Sequence, residues 1–302
     1  MKSIVVLFIF LFIFALTARA EQACVSLFST SNSSFDESIS SLISQNKLQE
    51  AIWEIRRQGF PDDAKKLESQ LRSILVTDKI KRIHFLGEIL SENDGTTEAL
   101  HILFHSGVSA VAKYKRGDGE NRNAPRSEIA AYEVSQLFQL HNVPMTVKRK
   151  IRGQQMSVQY FVRDLPNGFS RSHRYHPESW LTDYLIAYSD MVSSRFRNKA
   201  DNYLLDNQDR QILIDNASGF NTDWQSGNKA LAQEWETLLY ALNKEKLSLK
   251  DIAPSREVFA KLKAPTSGEI RNHFHTKLPK QEIENLILRR DHYVKKMSQY
   301  IK

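Results

Sequence analysis

The hydrophobic period of this chain shifts along its length, and each shift predicts a different kind of element. From Phe35 to about Val76 apolar residues recur at helical spacing. They run as Ile39, Leu42 and Ile43, then Leu48, Ile52 and Ile55, then Ala64, Leu67, Leu71 and Leu75. Pro61-Asp62-Asp63 marks the start of the last of these helices: proline fits a first turn, and carboxylates there meet the positive end of the helix dipole. Nothing downstream repeats this unit at a fixed period, so a solenoid is excluded.

Beyond Lys81 the pattern turns strand-like. Ile83, Phe85 and Leu86, leading to Ile89 and Leu90, predict a first strand, and Asn93-Asp94-Gly95 a hairpin turn. Leu100, Ile102 and Leu103 predict a second strand and Ser109–Lys115 a third. A polar loop, Arg116 to Asn123, leads to a helix that starts at Pro125 and Ser127 and has Ile129, Val134, Leu137, Phe138 and Leu140 on its apolar face. Val143-Pro144 ends it, since the residue before a proline is driven out of helical conformation. Two more strands follow, Thr146–Ile151 and Gln155–Val162, joined by Arg152-Gly153. From about His176 the pattern is helical, apart from a short strand pair at Tyr203–Leu205 and Ile212–Ile214 with its turn at Asn207–Arg210.

The N-terminus adds a targeting signal. Lys2 precedes an unbroken apolar run of 13 residues from Ile4 to Leu16, and Ala18-Arg19-Ala20 offers small residues at a cleavage point. The run is shorter than the about 20 residues of a comfortable membrane span. It predicts a signal peptide cleaved after Ala20, and so a secreted or periplasmic protein. The single cysteine, Cys24, allows no internal disulfide and no Cys-rich zinc framework.

Composition is that of a globular protein, 41% hydrophobic and 25% charged, and 11 Gly with 8 Pro exclude collagen-like and low-complexity architectures. The formal net charge of +7 changes the picture only through its location. Residues 241–302 hold fourteen Lys and Arg against seven acids, so the whole surplus lies there and the first 240 residues balance. Nucleic acid is therefore not the expected partner; the segment 241–302 instead suits an acidic partner or membrane surface. Within it Ile283, Leu286, Ile287, Val294, Met297 and Ile301 keep helical spacing, with Arg289, Arg290, Lys295 and Lys296 mostly between them, a stripe expected to pack on the helical body.

Three strands, a helix, two strands and then helices is the element order of two-lobed kinases. The expected fold is α+β: a small antiparallel β-lobe with one helix and a larger helical lobe, preceded by a short helical segment. The expected boundaries are 1–20 for the signal peptide, 21–80 for the helical preface, 81–165 for the β-lobe and 166–302 for the helical lobe. Phosphoryl transfer in such a fold needs a lysine on the third strand for the nucleotide phosphates and a glutamate on the next helix to orient it. Lys113 and Glu128 stand at those places. It also needs an Asn and an Asp for metal ions, and Asn202 and Asp215 flank the short strand pair.

Local sequences sharpen this into a resemblance. Ser127-Glu128-Ile129-Ala130-Ala131-Tyr132-Glu133-Val134, followed by Val143-Pro144, resembles the Glu-bearing helix of atypical secretory-pathway kinases, the Golgi casein-kinase type and its relative Four-jointed. Leu181-Thr182-Asp183-Tyr184 through Asp190-Met191 resembles the helix before their catalytic loop. Asp201-Asn202-Tyr203-Leu204-Leu205 and Ile214-Asp215-Asn216-Ala217-Ser218-Gly219-Phe220 are similar to their metal-binding stretch, and to that of type II phosphatidylinositol 4-kinases. The resemblance spans about residues 82–222 and implies ATP as cofactor, with Mg²⁺ or Mn²⁺ held by Asn202 and Asp215. The acceptor stays open among a protein, sugar or lipid hydroxyl.

The chain departs from that pattern at one position. The families place a catalytic-base Asp five residues before the metal-binding Asn, and here Arg197 occupies it. Arginine stays protonated and cannot accept a proton. Three outcomes stay open: weak phosphoryl transfer, a pseudokinase or non-enzymatic binding module with Arg197 against the nucleotide phosphates, and nucleotidyl transfer. No G-x-x-x-x-G-K-[ST] or G-x-G-x-x-G occurs, and neither H-E-x-x-H nor G-x-S-x-G is present, which removes P-loop, zincin and serine-hydrolase readings.

Overall fold

The computed structural model describes residues 37–85, 99–114, 124–165, 177–186, 202–206, 210–216, 219–220, 235–236, 238–240, 242–243 and 246–301. The helical preface forms as α1 (Glu37–Ser44), α2 (Leu48–Arg57) and α3 (Pro61–Thr77). The apolar stripes read from the sequence become their core: Ile39, Ile52, Leu67, Leu71 and Leu75 are all buried.

Five strands follow that preface: β1 (Ile80–Phe85), β2 (Ala99–Phe104), β3 (Ser109–Tyr114), β4 (Thr146–Ile151) and β5 (Gln154–Tyr160), in the sheet order β1-β2-β3-β5-β4. The first strand starts a little before the predicted point, and the proposed turn at Asn93-Asp94-Gly95 lies outside the described residues. Between β3 and β4 runs α4 (Ala124–Leu137). The β4–β5 hairpin pairs Thr146 with Gln159 and Ile151 with Gln154. Its two-residue turn needs positive φ at both positions, and Arg152 (φ 49°) and Gly153 (φ 84°) supply it.

The helical part begins with α5 (Pro177–Leu185), followed by the antiparallel pair β6 (Tyr203–Leu205) and β7 (Gln211–Leu213). It ends with α6 (Arg256–Lys263), α7 (Ser267–Phe274) and α8 (Lys280–Met297). Ser255 caps α6, and Thr266 with Glu269 forms a reciprocal capping box on α7. On α8, Ile283, Leu286, Ile287 and Met297 are buried as the stripe requires. Among the described residues no helix is long and apolar enough to cross a membrane.

The chain divides into two compact units, residues 1–83 with 102–110 and residues 84–101 with 111–302. Within the first, the β2–β3 turn touches the α1–α2 turn: a Cβ on Gly107 (φ 85°) would lie 2.9 Å from Asn46 Nδ2, so this position takes glycine on two counts. Asp78 joins the same region, its Oδ2 accepting from Ser106 N at 2.9 Å. Within the second, Leu213 N donates to Asn142 O at 2.7 Å and ties β7 to the segment after α4.

Candidate functional site

All the geometry that follows lies within the second unit. Alternation along β3 puts Val111 and Lys113 on one face and Ala112 on the other. Lys113 is buried, and an ammonium there needs partners. It donates to Glu128 Oε1 and to Asp215 Oδ1, both at 2.6 Å. Burial alone would lower the ammonium's pKa, but the charge of Asp215 and Glu128 and their hydrogen bonds outweigh it. The net effect raises the pKa above the ordinary lysine value, so Lys113 is charged at any physiological pH.

Each partner is held by its own local structure. Glu128 sits one turn into α4 and is 1% exposed. Its neighbour Ser127 donates to Gly219 O at 2.6 Å, which fastens this end of the helix to the segment just after Asp215. Gly219 packs closely there, since a Cβ would come within 3.2 Å of Asn216 O. Asp215 follows β7 with a left-handed backbone (φ 56°), a conformation that aspartate tolerates better than most residues. Its side chain stays 44% exposed while holding Lys113, so the cluster has a buried side and a wet side.

Asn202 immediately precedes β6, and its carbonyl accepts from Ile214 N at 3.0 Å. The Tyr203–Leu213 register therefore brings the two ends of the strand pair together, with Asn202 beside the residue before Asp215. Lys113, Glu128 and Asp215 thus form one cluster and Asn202 stands next to it. Arg197, the fifth residue singled out by the sequence, lies outside the described residues, as do Asp190 and Asp201.

Among the described residues no group of three or more His, Cys, Asp or Glu side chains is placed to hold a metal ion. One carboxylate and one amide oxygen nevertheless suit Mg²⁺ or Mn²⁺. Such ions take hard oxygen donors, and Mg²⁺ typically uses one or two carboxylates with water and substrate phosphates in place of a full protein cage. The donor set fits a metal that arrives with a phosphate and does not fit a structural metal.

No family model and no curated protein matches the chain. Solved structures do. A Golgi casein kinase aligns with a TM-score of 0.51 at 12% identity, over 78% of this chain and 76% of its own. A Golgi casein kinase structure with Mn/ADP bound gives 0.47 at 12% identity over the same shares. The Helicobacter pylori proinflammatory kinase CtkA gives 0.41 at 11%, over 74% of this chain and 93% of that one. The fold is kinase-like.

In this kinase-like fold several residues near the cluster had no local sequence signal. Glu133, five positions after Glu128 on α4, accepts from Lys277 Nζ at 2.7 Å, and His273 Nε2 lies 2.8 Å from the same oxygen. Arg126, on the first turn of α4, donates to Glu282 of α8 at 2.7 Å. Burial would push the Glu133 carboxyl up, but hydrogen bonds from His273 and Lys277 and the charge of Lys277 hold it at about 2. His273 and His275 are only two residues apart, yet they diverge: His275 Nδ1 meets the backbone at Asn272 O, 2.6 Å away.

Proposed function

We propose that this chain uses the Lys113 cluster to bind ATP together with Mg²⁺ or Mn²⁺. The observation that carries the reading is the Lys113 ammonium bridging Glu128 and Asp215 at 2.6 Å each. A lysine that is buried, charged and fixed by two carboxylates is a preorganised phosphate contact: its position does not have to be found when the ligand arrives. In this reading Lys113 meets the nucleotide phosphates and Glu128 orients it. Asn202 and Asp215 offer their oxygens to the metal, which would screen phosphate charge when bound. Asp215 has the exposure such a ligand needs. Arg197 lies four positions before Asp201 and is assigned to the same phosphates.

Transfer of phosphate to a protein, sugar or lipid hydroxyl is the activity this arrangement suits, because phosphoryl transfer depends mainly on positioning and charge. The base lost at Arg197 would have contributed about 10²- to 10⁴-fold, so turnover is expected to be slow. That same arginine favours a second reading, a pseudokinase or binding module that holds nucleotide without transfer, or one that moves the nucleotidyl group instead.

The reading extends to export, with cleavage after Ala20, and to an acidic partner or membrane surface for the exposed bases of residues 241–302. N-terminal sequencing of the mature protein tests the first, and sedimentation with anionic vesicles tests the second. For the site, ATP with Mg²⁺ or Mn²⁺ should raise the melting temperature of the protein and of no Asp215→Ala variant. A wild type that shows no metal-dependent shift sinks the nucleotide reading. ATP labelled at the γ or the α position then tells phosphoryl transfer, nucleotidyl transfer and simple binding apart.

A further inference from the structure

The helix that carries Glu128 is buried on nearly every side. Ser127, Glu128, Ala130, Ala131, Tyr132, Glu133, Val134 and Ser135 of α4 are all inaccessible or nearly so. Apolar packing of Ala130, Ala131 and Val134 is non-directional and tolerates a small slide or rotation of the helix. The contact it must protect tolerates none. Lys113 and Glu128 meet at 2.6 Å, and a shift of one residue along a helix is about 1.5 Å of rise and 100° of turn.

Directional contacts on the far side of α4 supply what packing lacks. Glu133 lies about 7.5 Å further along the axis than Glu128 and about 140° around it, so it faces another element. That element is α7 and the residues just after it, through His273 and Lys277 at 2.8 and 2.7 Å. Arg126 reaches Glu282 of α8 at 2.7 Å, with the charges reversed. The two pairs fix opposite ends of α4 from one C-terminal segment, and reversed polarity disfavours exchange of partners between them. In each pair the carboxylate is buried and the base stays about a third exposed, so the pair is a modest source of net stability, and setting register is the best-attested use of such pairs.

We infer that Glu133, with His273 and Lys277, and Arg126 with Glu282 are positioning residues: they hold α4 in the register that places Glu128 on Lys113. The basic C-terminal segment, which lies beyond the kinase-like resemblance, is then a built-in clamp on the site helix. The registering of Glu128 on Lys113 stands whatever Lys113 binds; only its consequence for nucleotide affinity rests on the proposed function.

The test therefore uses no nucleotide. The full chain is pulsed with acetic anhydride, and acylation of Lys113 is read by mass spectrometry against exposed Lys66, whose side chain is 67% accessible. An ammonium held by two carboxylates acylates slowly, so Glu128→Gln, which weakens that hold directly, sets the expected fast rate. Glu133→Gln and the milder Lys277→Met are expected to speed labelling of Lys113 several-fold, and the charge swap E133K/K277E to return it towards the wild-type rate. A purely structural role would speed labelling equally in Thr266→Ala, which weakens α7 at its other end; the clamp predicts no change there. Wild-type labelling in folded Lys277→Met, or equal acceleration in Thr266→Ala, overturns the inference. Normal labelling behaviour with no ATP-dependent stabilisation would leave the clamp standing and remove the nucleotide reading alone.

Discussion

The two buried glutamates of α4 occupy opposite electrostatic situations. Glu133 gives one oxygen to both His273 and Lys277, so at least one cation answers one carboxylate. Glu128 shares Lys113 with Asp215, and these three side chains taken alone sum to one negative charge. Glu128 Oε2 is buried and has no hydrogen-bond partner among the described residues. The two ends thus differ in what they meet: Glu133 faces two bases, whereas Glu128 shares one with a partly exposed Asp215, and under the proposed function that second end is where a metal ion would add its charge.

Removing the cation at the site end is expected to have the largest effect. Lys113→Met leaves the buried Glu128 carboxylate without its cation and removes one partner of the half-exposed Asp215. The loss expected is about 3–5 kcal/mol, the range for a buried pair broken from one side, towards the low end because Asp215 is partly solvated. Urea unfolding near neutral pH measures it. Lys113→Met with Glu128→Gln should recover most of the stability and none of the nucleotide-dependent stabilisation. A Lys113→Met protein as stable as the wild type would break the comparison outright.

How much of this was written locally in the sequence follows the same divide. Lys113 and Glu128 sit on successive elements whose periods are clear, and the run from Ser127 to Val134 carries a recognisable resemblance. Asp215 and Asn202 bracket a hairpin that reads as one from its own alternation. The Glu133 end has no such signal. Its partner Lys277 is 144 residues away, and no local pattern ties a helix of the small lobe to one near the C-terminus. The C-terminal bases hide in a related way: Arg289 and Arg290 fall between the stripe positions, yet they are only 5% and 6% exposed. Arg290 reaches the carbonyl of Pro265 and the hydroxyl of Ser267, and long donors of this kind can be buried wherever backbone carbonyls are left over. Part of the basic surplus is thus spent inside the protein, on Glu133 among others.

The Glu133 end should reveal itself through pH. Glu133 has its ordinary value of 4.5 in the unfolded chain and about 2 in the folded one. A depressed carboxyl stabilises above its unfolded value, and that contribution disappears as pH falls through the folded one. Stability from Glu133, at most roughly 3 kcal/mol, is therefore complete above about pH 4.5 and lost towards pH 2. Urea midpoints of the wild type and Glu133→Gln, measured across that interval, should converge as the pH drops. Parallel curves would mean that His273 and Lys277 do not hold this carboxylate ionised.

A smaller effect sharpens the boundary between the two ends. Ser127→Ala removes the donor to Gly219 O, leaving a buried carbonyl unsatisfied at a cost of about 1–3 kcal/mol. Because Gly219 follows Asp215 closely, the variant should also weaken metal-dependent stabilisation by nucleotide, read as a smaller thermal shift at equal ATP. Loss of stability with the thermal shift intact would place Ser127 with the scaffold and apart from the site.

The smallest effect is the most selective. Thr266→Ala deletes a capping box in which Thr266 Oγ1 accepts from Glu269 N at 3.2 Å and the Glu269 carboxylate accepts from Thr266 N at 2.7 Å. Loss of such a cap costs about 1 kcal/mol. The damage falls on the first turn of α7, whereas His273 stands in its last turn. Helix ends fray independently before a whole helix melts, so His273 should keep its place against Glu133. Chemical denaturation should register the lost cap, Thr266→Ser should restore it, and neither variant should alter nucleotide-dependent stabilisation. If Thr266→Ala instead impaired the site as much as Glu133→Gln does, the site would be responding to the overall stability of α7. The distinction between a structural end of α4 at Glu133 and a functional end at Glu128 would then lose its physical basis.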